Sequence, residues 1–440
     1  MNTTTMLYLA LYLAILAIIT WHASKRETPA EYINSEKNLS ANDSTWTTFA
    51  SLLTGYNFVL GVTFSFLYGF WYLMVFIGAG MAFVVLYIFY KKHLLILQKD
   101  HNLLSLGDYF EIKYGPFSKI LIDLILSGGL ILFLILQMFV NTGLFSSLLH
   151  IEKVTALIFT TGIVCVYLWL GGFKASVKTD IFQGILMLPI IITIFIFPTH
   201  FTLEKIPQAF DPSQFWFAIG LMLLQFLGLL GQAESFQRIF ASRDAKSLKK
   251  GLGRAFILLA LVAGSIAYLG INLKFSGMTI DPGDLFTKGI LTSLPAWLSS
   301  LLTVSLMAAF MGTIDSSAFA FGTIIAKIKN GSKTIVINQV RFFTLLGIIV
   351  SAIASLYLFS FLSSAFALIS LISVIGAGLV ISVVLKPSKI EINTFLIVGY
   401  STFILGLILK FVTDNPLTSL IPSGTALIIM LLVRFYTRMK

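Results

Sequence analysis

The chain of 440 residues has one cysteine, Cys165, set inside an apolar run. It permits no internal disulfide and no cysteine metal cluster. Charge is also scarce: 11% of residues are Asp, Glu, Lys or Arg, against about 25% in an ordinary soluble domain. The five histidines, His22, His93, His101, His150 and His200, are scattered, and no pair has metal-ligand spacing. No Ser/His/Asp order and no glycine-rich phosphate loop stands out. Meanwhile 57% of residues are hydrophobic and the mean hydropathy is +0.93. In water such a chain would expose far too much apolar surface. A soluble globular enzyme, a disordered chain and a nucleic-acid binder are all excluded. The expectation is an all-α polytopic membrane protein with the lipid bilayer as its solvent, no cofactor and no enzymatic activity.

A crossing helix needs about 20 mostly apolar residues. Thirteen runs qualify: 6–22, 46–66, 70–90, 117–149, 153–171, 179–199, 213–233, 255–273, 294–326, 338–359, 361–385, 394–411 and 417–436. No Lys or Arg precedes the first run and no small-residue cleavage site follows it, so it reads as a retained helix rather than a signal peptide. No soluble domain is expected, and 1–440 reads as one membrane domain. With the amino terminus outside and the spans alternating, 25 of the 30 Lys and Arg fall on the inner side. Only Lys153, Lys205, Lys274, Lys288 and Lys410 stay outside. Positive charge collects on the cytoplasmic side, so the carboxy terminus is placed in the cytoplasm. The net charge of +11 therefore reports membrane orientation, not a nucleic-acid partner. Short loops and the absence of disulfide pairs fit a bacterial inner membrane.

Three spans are not plain lipid helices. Span 46–66 carries Ser51, Thr54, Gly55, Tyr56, Asn57 and Gly61 at its middle. Either the helix breaks there and frees carbonyls toward a cavity, or small residues let it pack closely. Span 213–233 carries Gln225, Gly228, Gly231 and Gln232, with Glu234 just beyond. Two interrupted helices in separate parts of a chain point to a transporter site between repeats. They open spans 2 and 7, so 46–199 and 213–386 read as two five-helix units. Five is odd, so the second unit enters the membrane inverted. The segment 394–436 adds two helices.

Span 294–326 holds Ser305, Thr313, Asp315, Ser316 and Ser317. Asp315 lies 12 residues from Lys327, roughly 18 Å along a helix. A carboxylate that deep is costly and marks a functional site by default. The hydroxyls beside it are hard oxygen ligands for a small cation, or they bond back to the preceding turn. Taken alone, Thr179-Asp180 reads as a helix N-cap. Gln137 and Asn141, one turn apart, face either a polar solute or a neighbouring helix.

Four stretches resemble the sodium:solute symporter family. The first runs Gly171-Gly172, Val177, Thr179-Asp180 and Gln183; the second is Phe236-Gln237-Arg238-Ile239-Phe240-Ala241-Ser242 with Lys246 and Lys249-Lys250-Gly251. The third is Ala308 to Ser316, and the fourth is Leu106 to Gly115. Their order and spacing match over about residues 40–390. The resemblance implies a LeuT-type 5+5 inverted repeat with one extra helix before it and two after. It implies sodium-coupled symport of a small polar organic solute by alternating access, with Na+ as coupling ion. Carried over, the sodium residues are the carbonyls of Ser51 and Thr54, the Ala309 carbonyl and the Thr313 hydroxyl. Asp180 stands near the inner exit of that site and, in some members, joins a second sodium site with hydroxyls near Asp315 and Ser316, so the resemblance counts these three among the sodium residues too. The solute residues are Tyr56, Asn57, Trp71, Gln137, Asn141 and Gln225. Gly312 stands where the family usually has Ser, and Leu53 where proline-transporting members have Asp. A proton-coupled symporter and a transporter-like solute sensor are the alternatives. The solute and the oligomeric state are left open.

Overall fold

The computed structural model describes residues 3–24, 38–95, 97, 103, 105–149, 151–170, 173–278, 280, 284–330, 336–357, 361–412 and 415–439. Among them, helices take nearly everything; the one extended pairing is an isolated bridge between Leu39 and Ser242. Of the charges that set the expected orientation, Lys25, Arg26, Lys37, Lys99, Lys333 and Lys440 lie outside the described residues.

Helix α1 is Thr3–Ser24. The second expected span is divided into α2, Ala41–Leu52, and α3, Gly55–Tyr68. Ser40 starts α2 through a capping box with Asp43, which satisfies two otherwise orphaned backbone donors. A 3-10 turn at Gly69–Leu73 leads to α4, Met74–Phe89. Gly69 has φ +62 and lies against the Ala209 carbonyl, so a side chain there would collide with backbone. Next come α5, Leu106–Tyr114, α6, Pro116–Leu149, and α7, Lys153–Leu170. Helix α8, Phe173–Met187, continues through a 3-10 turn that contains Pro189.

The second interrupted helix is α9, Phe215–Gly231, followed by α10, Ala233–Ala241. The rest are α11, Ala245–Lys274, α12, Ala296–Asn330, α13, Ile337–Ser355, α14, Phe361–Val384, α15, Lys389–Ile408, and α16, Ile421–Met439.

The packing repeats itself. The first broken helix lies on α11 and, through α2, on α8; the second, through α9, lies on α4 and α14. Helices α6 and α12 pack on one another at the centre, and each also packs on its successor, α7 and α13. Helix α12 is the most buried span and α1 the least. The outer surface carries exposed apolar side chains such as Phe195, Ile158 and Ile408, as a lipid-facing belt requires.

The expected count of thirteen spans is not reached by length and apolarity. Eleven helices qualify among the described residues. Residues 57–94 run on as one helical stretch, joining parts of two expected spans, and Lys153–Val166 is a shorter apolar helix. The polar first half of the broken helix, Ala41–Leu52, falls short because Asn42, Asp43, Ser44 and four threonine or serine neighbours dilute it.

Candidate functional site

The helix break falls at Leu53 and Thr54. Leu53 leaves the helix at φ −86, ψ 67, and Thr54 is extended at φ −72, ψ 156. Thr54 Oγ1 then caps α3 by accepting from the Asn57 backbone N–H at 3.0 Å. The Asn57 side chain donates to the freed Leu52 carbonyl at 2.5 Å. The residues that looked anomalous for a lipid helix are thus those that satisfy the broken ends. Gly55 sits against the Phe310 ring, with room for no Cβ: such an atom would lie 2.5 Å from the ring. That contact brings the break onto α12 at its 308–316 stretch. There the Thr313 hydroxyl bonds back to the Ala309 carbonyl at 2.8 Å, and the Ser51 hydroxyl to the Thr48 carbonyl at 3.1 Å.

One turn further along α12, four helices meet at a buried arginine. Arg238, from α10, donates through Nη2 to Asp180 Oδ2 at 3.1 Å and to Ser316 Oγ at 3.0 Å. Its Nε donates to Thr47 Oγ1 at 2.8 Å, and Thr47 in turn donates to Asp180 Oδ2 at 2.5 Å. The Asp315 carboxylate accepts from Ser176 at 3.4 Å and lies 3.1 Å from the Ser316 hydroxyl. Ser317 donates to Glu234 Oε1 at 2.5 Å. Helices α2, α8, α10 and α12 are therefore laced together by charge. Beyond this point the chain seals again: the Leu39 N–H donates to the Ala241 carbonyl at 2.9 Å, and the Arg243 N–H to the Leu39 carbonyl at 3.1 Å.

Beside the first break, between α3, α4, α9, α11 and α14, lies a small cavity lined by Asn57, Gly61, Tyr72, Leu221, Gln225 and Leu229 among others. Its walls are mostly apolar, with the Asn57 and Gln225 amides and Tyr72 as polar side chains, and no charged residue lines it among the described residues. A larger, more open cavity lies at the end opposite Arg238, lined by Val59, Thr142, Ser146, Asp284, Lys288 and Ser355 among others.

The structure separates the expected solute residues into three groups. Asn57 and Gln225 line the small cavity. Gln137 and Asn141 are fully buried in α6, their amide atoms without a partner among the described residues, but they do not line it. Trp71 is turned outward, its indole donating to the Asp211 carbonyl at 2.7 Å between Phe210 and Phe215; Tyr72, the next residue, faces the cavity instead. The side chain of Tyr56, and Gly171 and Gly172, lie outside the described residues.

Two readings need correction. Asp180 does not cap a helix, because α8 is already helical at Phe173, two turns earlier. Arg238 is not a loop charge but is buried in α10. Sequence reasoning missed Arg238, Thr47 and Tyr72 as site residues. The available signal was Glu234 and Arg238 four apart just after an interrupted helix, a spacing that puts both on one face.

Two broken helices, repeated helix packing and a cavity at a break define a membrane transporter of LeuT-like fold. The chain belongs to the sodium:solute symporter family, whose model matches residues 32–386. Its members are transporters rather than enzymes. The chain is 25% identical to the sodium/pantothenate symporter of Haemophilus influenzae over 74% of this chain and 72% of that protein. It is 28% identical to the high-affinity proline transporter PutP of Bacillus subtilis, a match that spans half of each, 50% and 50%. A solved Na+-coupled sialic acid symporter in a substrate-bound outward-open state superposes with a TM-score of 0.80 at 19% identity, covering 97% of this chain and 96% of that one.

Proposed function

We propose that this chain is a sodium-coupled symporter that carries a small polar organic solute across the cell membrane by alternating access. The observation that supports it most is the seating of the α2–α3 break on α12, with Gly55 against Phe310. Sodium binds there through the carbonyls of Ser51, Thr54 and Ala309 and the hydroxyl of Thr313. Asp180, with Asp315 and Ser316 nearby, forms the inner exit. The solute binds beside the same break, its polar groups met by Asn57 and Gln225 and its body by the apolar wall.

The repeats run 46–199 and 213–386, with the amino terminus outside, the carboxy terminus cytoplasmic, and the Arg238 end of the molecule inside. Sodium draws the broken helix onto α12 and keeps that inner end shut while solute enters from the other. With both bound, one bundle rocks against the other, and the Arg238–Asp180 contact parts. Each charge moved inward adds about 2.3 kcal/mol per 100 mV, which sustains a roughly 50-fold solute gradient. Proline, pantothenate and sialic acid, carried by similar proteins, form the first panel of solutes.

The test is thermal stability of the purified protein in detergent, titrated with sodium against choline at constant ionic strength. A ligand that binds only the folded state adds about 2.7 kcal/mol at 100 times its Kd. A saturable, sodium-specific rise that Thr313→Ala weakens is expected. A flat response up to high sodium contradicts the proposal.

A further inference from the structure

The small cavity beside the first break is lined, among the described residues, by polar and apolar side chains and by no charged one. It encloses about 80 Å³; an apolar protein cavity of about 150 Å³ is enough for benzene. The lining comes from α2, α3, α4, α9, α11, α14 and the turn between α3 and α4, with none from α12 among the described residues. Gly55 meets α12 at Phe310, so a cation held between the break and α12 lies across the broken helix from the cavity. The buried charges Asp180, Glu234, Arg238 and Asp315 are gathered in the inner cluster, bonded to one another or to hydroxyls. A carboxylate or an ammonium brought into the cavity would lose its water and find no opposite charge.

The polar groups on the wall are set for a neutral partner. Asn57 Nδ2 is committed to the Leu52 carbonyl at 2.5 Å. Turning that amide over would press two carbonyl oxygens together, so the nitrogen stays and Oδ1 is the end left for a ligand. Such an oxygen accepts from an N–H or O–H and repels a carboxylate. The Asn57 backbone N–H could otherwise meet an anion at the start of α3, but it is already taken by Thr54 Oγ1 at 3.0 Å. One turn along α3, Gly61 is bare where the Tyr72 hydroxyl lies: a Cβ there would stand 2.5 Å from that oxygen. The hydroxyl thereby reaches the face of α3 that carries Asn57 and can donate or accept. Gln225, from α9, adds a carbonyl and an NH2. Leu53, Leu60 and Val75 are part of the apolar remainder of the wall.

We propose that the solute is uncharged: a compact molecule with an N–H or O–H donor beside an acceptor, held by Asn57 Oδ1, the Tyr72 hydroxyl and the Gln225 amide. This inference rests on the reading of the cavity as the solute site. It deepens that reading by excluding carboxylates, zwitterions and ammonium ions, and proline, pantothenate and sialic acid with them. A site built to hydrogen-bond a neutral group discriminates strongly, because a solute that fails to match leaves the wall's polar groups unpaired. Tyr72 and Asn57 are then specificity-determining residues: one fixes the hydroxyl partner, the other presents only an acceptor.

The experiment is thermal stability of the full chain in detergent at fixed sodium and ionic strength, titrated with probes that differ in charge but little in shape. Acetamide is set against acetate and ethylammonium, lactamide against lactate, and panthenol against pantothenate, with proline and sialic acid alongside. At least one uncharged probe is expected to raise the unfolding midpoint saturably, about a hundredfold more tightly than its charged counterparts. Tyr72→Phe is expected to weaken that probe about tenfold. Gln225→Lys, which puts a cation on the wall, is expected to reverse the order so that the carboxylate of the pair binds better. A residue that merely packs would not yield that reversal. If Gln225→Lys does not fold, Gln225→Leu takes its place and is expected to weaken the uncharged probe. A carboxylate or ammonium probe that binds the wild type as tightly as its uncharged counterpart overturns this inference and leaves the cavity standing as the solute site. No response to any probe, charged or uncharged, overturns both. Sodium coupling is read separately, from the sodium titration without solute.

Discussion

Arg238 carries the largest residue-scale consequence. Its guanidinium and the Asp180 carboxylate are 5% and 1% exposed. Taking one partner from such a pair strands the other charge in a medium that solvates it poorly, at a cost of about 3–5 kcal/mol. Arg238→Met is therefore expected to lower stability by that order in thermal unfolding, and Arg238→Met with Asp180→Asn by clearly less than the sum of the two. Additive losses would show that the residues act independently. This contact was not legible in the sequence. Arg238 stands among basic residues of the kind that collect in cytoplasmic loops, and its spacing from Glu234 marks a shared helix face without naming Asp180 as the partner. Asp315 was legible, because depth along an apolar helix can be counted. Asp180 was legible only through the family's pattern, since locally Thr179-Asp180 is indistinguishable from a cap.

At the scale of elements, the breaks were the readable part. Small and polar residues clustered at mid-span predict freed backbone, and Asn57 and Thr54 serve that backbone directly. How tightly the second broken helix seats was not readable. Gly231 lies on the Ile372 carbonyl and Gly376 on the Leu227 carbonyl, each with no space for a methyl group. Gly376→Ala is expected to push α9 from α14 and cost about 1–3 kcal/mol, measured as a lowered midpoint of unfolding with sodium absent.

A second element-scale contact ties the short, largely buried helix α5 to the bundle. Asp108 receives Lys327 at 2.6 Å and Lys119 at 2.9 Å. Burial alone would raise its carboxyl, but the two ammonium groups outweigh it and hold the pKa at about 2 rather than 3.8. The folded value lies below the unfolded one. The stability it contributes, about 2 kcal/mol, is complete above pH ~4 and is lost as pH falls toward 2. Asp108→Asn is expected to flatten the loss of stability across that window; an unchanged acid limb would refute the assignment.

For the molecule as a whole, the class, the family and the general path of the chain follow from hydropathy, charge and four motifs in register. The count of thirteen spans is not confirmed by the eleven helices that, among the described residues, are long and apolar enough to cross. The polar α2 is too hydrophilic to register, and residues 57–94 run through a turn without losing hydropathy. The closed state of the Arg238 end is a property of tertiary contact that no sequence pattern encodes. It is also the basis of the account, in which sodium holds that end shut until solute is bound.

Cys165 is the chain's single cysteine, so Cys165→Ser gives a background without thiols. Ser242→Cys then places one thiol at the seal, where Ser242 is 2% exposed. The decisive measurement is the rate at which a water-soluble thiol reagent labels that cysteine in sodium and in choline. Slower labelling in sodium, reversed when Thr313→Ala is added, is the predicted result. Labelling that is equally fast in both salts, or faster in sodium, would contradict the account.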